Sequence, residues 1–312
     1  MKTPNLFLIG VQKSGTTSLY DWLGQHDDVF LVPELKEFPF FVSDRFYSKG
    51  LSWLDKTFYT KYSSEKYVLH SYVNYIFFSK LFVKRVKKHP ELNNSKFLIV
   101  LRNPVNRAYS AYWEAIKTGR ASIKTSFEEA LQYENELFNK NSLATYTDTP
   151  DLLFDKSGRS EIGALAHYNH GLYHNQLKDI IDAFGKENVK VVIFEELVKD
   201  KKEQVKEILD FLKLDNNFEF KFNYTNKSGV PKLALIQKLI NNTFIPSFIK
   251  KAFSITVRSK IKNALLKANI KEVKYKPMDE QTRQKLESDY LEDVKKTSQL
   301  LNRDLTKLWF KK

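Results

Sequence analysis

The chain has 312 residues, 42% of them hydrophobic, enough to bury the core of one large domain, and it has no cysteine, which excludes disulfides and thiol chemistry. Its formal net charge is +14, and between Lys227 and Lys312 there are 20 Lys and Arg against 8 Asp and Glu, so most of the excess is C-terminal. No run is long enough to cross a bilayer, Leu6 to Val11 is too short for a signal core, and no nucleic-acid module accompanies the charge, so a cytoplasmic protein that does not bind nucleic acid is expected.

The first element is the apolar run Leu6 to Ile9, read as a strand entering Gly10-Val11-Gln12-Lys13-Ser14-Gly15-Thr16-Thr17. The glycines have the G-x4-G spacing of phosphate loops, and a helix with Leu19, Trp22 and Leu23 on one face follows. Backbone amides of such a loop and the start of its helix cradle an anion. A nucleoside-triphosphate enzyme carries lysine directly after the second glycine, where Thr16 stands, whereas the cation here is Lys13, inside the loop. The anion cradle is kept, but a different terminal group is expected.

A second strand is read near 67–69 and a third at 97–101, which runs into Arg102-Asn103-Pro104. A triphosphatase strand of this kind often ends in a magnesium-binding aspartate; this one ends in arginine. Pro104 favours a helix start, and 104–117 has Tyr109, Tyr112, Trp113 and Ile116 at helical spacing. Arg102 with Ser110 two turns on makes a receptor for a second phosphate, with pairing to a nearby carboxylate as the plain alternative. The polar stretch 138–161 reads as a long loop, 189–194 as a fourth strand and 201–212 as a helix. The order is that of an α/β protein: a phosphate-loop-type central parallel sheet flanked by helices, forming a single domain over 1–312, with a mostly helical basic region over 233–312. His167, His170 and His174 could line one helix face, but no carboxylate completes a metal set and Gly171 interrupts the pattern, so no metal site is expected and surface or acceptor-site histidines are the blander reading. Between Ile245 and Ile270 apolar residues alternate with lysine and arginine, a pattern that suits an anionic membrane surface such as the inner membrane, an anionic polysaccharide, or a solvated helix face.

Together these segments resemble the sulfotransferases that use 3′-phosphoadenosine 5′-phosphosulfate (PAPS), in particular the heparan-sulfate type and its bacterial relatives. Lys13-Ser14-Gly15-Thr16-Thr17 is similar to the family's 5′-phosphosulfate loop, and Leu101 to Ser110 to its 3′-phosphate motif. Tyr168 to Tyr173, Val191 to Leu197, Lys227 to Pro231 and Leu301 to Leu305 also match. The resemblance implies in-line transfer of a sulfuryl group from PAPS to a hydroxyl or amine of a carbohydrate-type acceptor, leaving 3′-phosphoadenosine 5′-phosphate. Lys13, Ser14, Gly15, Thr16, Thr17 and Ser18 would hold the 5′ end; Arg102 and Ser110 would hold the 3′-phosphate, with Lys227, Ser228 and Gly229 of a loop near 223–232 closing over it.

Within Pro33 to Phe41, register on the Phe40-Phe41 pair of the resemblance selects Glu37 as the catalytic base, with Glu34 a competitor. Lys36 would lower the Glu37 pKa, and desolvation by Phe38, Phe40 and Phe41 would raise it. The segment Tyr67 to Tyr75 departs from the pattern: His70 stands where the family has glutamate and Ser71 where it has lysine, which leaves more charge to Lys13 and makes His70 the second candidate base. Other acceptors within the same chemistry are small-molecule, lipid or tyrosine hydroxyls. Outside it, a phosphate-loop kinase or triphosphatase and a noncatalytic nucleotide- or membrane-binding protein are the alternatives.

Overall fold

Five apolar segments become the strands of one sheet: β1 (Leu6–Gly10), β2 (Val29–Lys36), β3 (Tyr67–Ser71), β4 (Lys96–Leu101) and β5 (Val189–Ile193). The computed structural model describes residues 1–122, 124–140, 165–222, 229–232, 268–273 and 275–310. All neighbouring strands run parallel, in the order β2-β3-β1-β4-β5. The helices are α1 (Thr16–Leu23), α2 (Asp44–Tyr47), α3 (Gly50–Phe58), α4 (Ser79–Val86), α5 (Pro104–Lys117), α6 (Phe127–Lys140), α7 (Tyr173–Phe184), α8 (Phe194–Lys199), α9 (Lys201–Leu212), α10 (Glu280–Leu301) and α11 (Leu305–Trp309).

The central strands read as unbroken apolar runs because both of their faces are covered. Phe7 and Ile9 of β1, with Phe97, Ile99 and Leu101 of β4, enter one core with Phe41, Tyr75, Phe82 and Phe184. The alternate residues Leu6, Leu8, Leu98 and Val100 enter a second core with Leu19, Trp22, Val205 and Ile208. Period-two alternation thus divides each strand between two helical layers. The α/β expectation holds, and strands near 67–69, 97–101 and 189–194 fall where the pattern puts them.

β2 was not among the strands expected. It is the sheet edge, it carries Pro33, and its register against β3 shifts between Leu31 and Lys36. Proline has no amide to donate and is tolerated at such an edge, where it masks the strand pattern. A small antiparallel ribbon, β6 (Gly229–Pro231) with β7 (Ile270–Glu272), packs against α5. Residues 141–161 of the expected long loop and 233–267 of the basic region lie outside the described residues. Among the described residues no helix is long and apolar enough to cross a membrane.

The topology dictates where a ligand can bind. From β1 the chain goes to one side of the sheet, and from β3 it crosses over to β4 on the other, so the loops after β1 and β4 face one crevice at the carboxyl ends of adjacent strands.

Candidate active site

The loop after β1 is held open by backbone geometry. Gly15 precedes the first residue of α1 with φ 79°, a left-handed conformation that favours glycine, and a Cβ built on it would lie 3.0 Å from the Phe194 ring. Lys13 also has a positive φ, 68°, which an L side chain adopts only at a cost. Ser14 is fully buried, and its Oγ has no hydrogen-bond partner among the described residues. Thr16 opens α1 at the position where a triphosphatase would carry its lysine, with Thr17 and Ser18 following in the first turn. A loop with strained backbone, an orphan buried hydroxyl and a helix N-terminus behind it fits an anion.

The arginine after β4 reaches this loop. Arg102 Nη1 donates to the Lys13 carbonyl at 2.7 Å, and its guanidinium lies 4.6 Å from the centre of the Phe194 ring. Burial pulls its pKa down and the Glu195 carboxylate partly restores it. Glu195 is nevertheless engaged elsewhere: one oxygen accepts from the Asn103 amide at 3.0 Å, the other from Trp309 Nε1 at 3.1 Å. Among the described residues no carboxylate is within ion-pair distance of Arg102. Asn103 caps α5 by accepting from the Asn106 amide at 3.1 Å, and Pro104 occupies the first turn as its fixed φ favours. Ser110, half-buried, lies on α5, and Gly229 opens β6 against that helix. Lys227 and Ser228 lie outside the described residues.

Glu37 follows β2 in a turn, with φ 60°. Four non-glycine residues have positive φ among those described; Lys213 and Asn302 are ordinary left-handed helix C-caps, and the other two are Lys13 and Glu37. Strain that no helix end explains therefore falls on the two residues singled out for chemistry. The Val73 amide donates to Glu37 Oε2 at 3.2 Å. The residue as a whole is exposed, while its carboxyl lies close to surrounding protein. Burial raises its pKa and outweighs the Val73 hydrogen bond and the Lys36 and Arg120 charges, which lower it. Lys36 Nζ itself lies 3.5 Å from Asp21 Oδ1.

His70 stands in the core. It is fully buried, its Nε2 is 2.8 Å from the Tyr75 hydroxyl and 3.2 Å from the Phe38 carbonyl, and its ring lies against Phe7, Phe38 and Phe41. Burial lowers its pKa to about 4. The expectation of a second candidate base at His70 is corrected on this point: the ring braces the turn that carries Glu37 and faces no cleft. Glu34 lies within β2.

The remaining motif segments hold the arginine in place. Tyr173 donates from its hydroxyl to the Arg102 carbonyl at 2.8 Å, and buried Glu134 accepts from the amides of Tyr168 at 2.7 Å and Asn169 at 2.9 Å. Asn103 Nδ2 donates to the Trp309 carbonyl at 2.7 Å, and Arg303 pairs with Glu196, so the last two helices clamp the ends of β4 and β5. His167 and His170 are buried rather than surface or acceptor-facing; His170 stacks on Phe77 with centroids 4.0 Å apart, and burial lowers the His167 pKa to about 3. Among the described residues no cluster of His, Asp or Glu is arranged to hold a metal ion.

One site residue escaped the sequence reading. Glu114 Oε2 accepts from Lys13 Nζ at 2.9 Å. It follows Ser110 by one helical turn, so the i, i+4 spacing along α5 was the available signal. The Arg120 charge lowers the pKa of both Glu114 and Glu37.

With this geometry in place, residues 3–298 match the family profile described as "Sulfotransferase domain". The human heparan sulfate glucosamine 3-O-sulfotransferase 3B1 is 29% identical over 236 residues, covering 74% of this chain and 51% of that protein. The bifunctional heparan sulfate N-deacetylase/N-sulfotransferase 1 of Xenopus laevis is 33% identical over 134 residues, 41% of this chain and 15% of that one. The chain thus spans about half, or less, of the length of these relatives. A sulfotransferase from Alicyclobacillus acidocaldarius superposes over 100% of both chains with a TM-score of 0.67 at 23% identity, a likeness of fold.

Proposed function

This chain belongs to the sulfotransferase domain family, and from that premise we propose that it moves a sulfuryl group from PAPS to a hydroxyl or amine of a carbohydrate-type acceptor. The observation that carries this reading is the 2.7 Å hydrogen bond from Arg102 to the Lys13 carbonyl, which joins the two cationic loops into one pocket. A donor with phosphate groups on both the 5′ and 3′ positions of one ribose needs two such grips a fixed distance apart. A triphosphate needs only the first.

Bound there, PAPS supplies an activated sulfuryl group on its 5′-phosphate. The amides from Ser14 to Ser18, with the hydroxyls of Thr16 and Thr17, hold the 5′ end, as a helix N-terminus favours. Arg102, a planar guanidinium seated on Phe194, presents a fork to the 3′-phosphate alongside Ser110; the assignment of Lys227, Ser228 and Gly229 to the same phosphate rests on the sequence resemblance. Lys13 neutralises charge at the bridging oxygen as it develops. Fixed donors of this kind typically contribute the largest share of a barrier reduction. Glu37, anchored by the Val73 amide, takes the proton of the acceptor, and its raised pKa moves it toward the range in which a base is effective. Carbohydrate as acceptor rests on the likeness to heparan sulfate enzymes.

The test is calorimetric. Adenosine 3′,5′-bisphosphate should bind more tightly than AMP, and Arg102→Ala should remove most of that preference. Equal binding of the two nucleotides by the unaltered protein would sink the donor assignment. Transfer of labelled sulfate from PAPS to glycans, compared with phenols and glycolipids, then decides the acceptor class.

A further inference from the structure

The loop cation Lys13 has an anion within reach. Lys13 Nζ is 2.9 Å from Glu114 Oε2, with side-chain exposures of 22% and 32%, so the pair is sheltered but reachable from the cleft. The two residues come from different elements, the loop after β1 and the third turn of α5, so only tertiary structure makes them meet. Burial alone would raise the Glu114 pKa; the Lys13 charge and hydrogen bond, followed by Lys117 and Arg120, reverse this and hold it below the usual carboxylate value. Lys13 keeps a left-handed backbone at φ 68°, and its carbonyl is pinned by Arg102, so its ammonium can change partner while its main chain stays fixed.

We propose that Glu114 is a positioning residue that holds the Lys13 ammonium while the site is empty and surrenders it to the 5′-phosphosulfate end of the donor. The inference rests on the donor reading above and adds a competitor to it. Lys117 and Arg120, whose charges already act on Glu114, keep its carboxylate compensated after Lys13 turns away. The exchange therefore strands no buried charge, which would otherwise be expensive.

Glu114→Gln keeps the shape of the side chain and removes its charge. Its affinity for adenosine 3′,5′-bisphosphate, measured by calorimetry, should rise about tenfold, equivalent to roughly 1.4 kcal/mol. The gain should vanish in a Lys13→Ala background, and Glu114→Asp, which retains the charge, should return affinity toward that of the parent protein. Unchanged or weaker bisphosphate binding by Glu114→Gln, or an equal gain without Lys13, overturns the latch while leaving the donor reading intact. If the parent binds no bisphosphate at all, the donor reading fails and the displacement falls with it.

Discussion

The loop after β1 and the turn after β2 both bear a strained residue with a chemical task, but they are secured in different ways. The first lies between two central strands and is tied by main-chain partners: the Val11 amide donates to the Val100 carbonyl at 2.9 Å, and Arg102 grips the Lys13 carbonyl. The second hangs from an edge strand: the Phe38 amide donates to the Ser71 carbonyl at 3.2 Å, and side chains join in, with the Glu37 carboxylate accepting from the Val73 amide and the His70–Tyr75 pair beneath the Phe38 carbonyl. Anion binding needs fixed amides, which parallel strand ends provide. A base needs a tuned pKa, which burial and neighbouring side chains provide.

The largest break in this comparison is expected at Glu37. Glu37→Gln should lower kcat by about 10² to 10⁴ while adenosine 3′,5′-bisphosphate binds as before, since general-base assistance is of that order. In the parent enzyme, activity should rise with pH as Glu37 loses its proton, with a midpoint above the ordinary 4.5 because burial holds it up, and the variant should lack this limb. A pH–rate profile of both proteins checks the sign. Loss of nucleotide binding in the variant would mean that the two regions are not separable.

Gly15→Ala tests the other region. The added methyl needs φ near 79° and meets the Phe194 ring at 3.0 Å, so bisphosphate affinity should fall about tenfold or more, for a strain of roughly 1–3 kcal/mol, and the pH limb of Glu37 should be preserved. Isothermal titration and the same profile report both.

A third measurement sharpens the contrast between Glu37 and His70. An unfolded histidine takes up its proton near pH 6.5 and folded His70 only near pH 4, so the unfolded state binds more protons between these values and stability falls as pH drops through that window. His70→Phe should flatten the fall in urea-unfolding free energy between pH 6.5 and 4 and leave the pH limb of turnover in place. A histidine acting as base would instead take that limb with it.

Asn103→Ala is expected to have the smallest effect, about 0.5–2 kcal/mol of stability from the lost helix cap, seen as a lower Tm. It also removes the donor to the Trp309 carbonyl, so the C-terminal clamp should loosen without altering Glu37.

The phosphate loop, the central strands and the α5 start were legible because each is written locally: glycine spacing, an apolar run, a proline after a cap. β2 was not, since Pro33 and an edge register break its alternation. Glu37 was singled out by the resemblance, from its place before the Phe40-Phe41 pair, and its role is a proposal, whereas Glu114 was overlooked because its contact is with Lys13, 101 residues away.

By itself the amino-acid order determined that a parallel sheet would present an anion loop and an arginine at neighbouring strand ends, because periodicity and turn chemistry depend on adjacent residues. Which carboxylate accepts from the Val73 amide, which histidine is sealed in the core and which acid pairs with the loop lysine were decided by tertiary structure alone. Burial, charge pairing and the pKa values they set come from residues distant in the chain, and no local pattern records them.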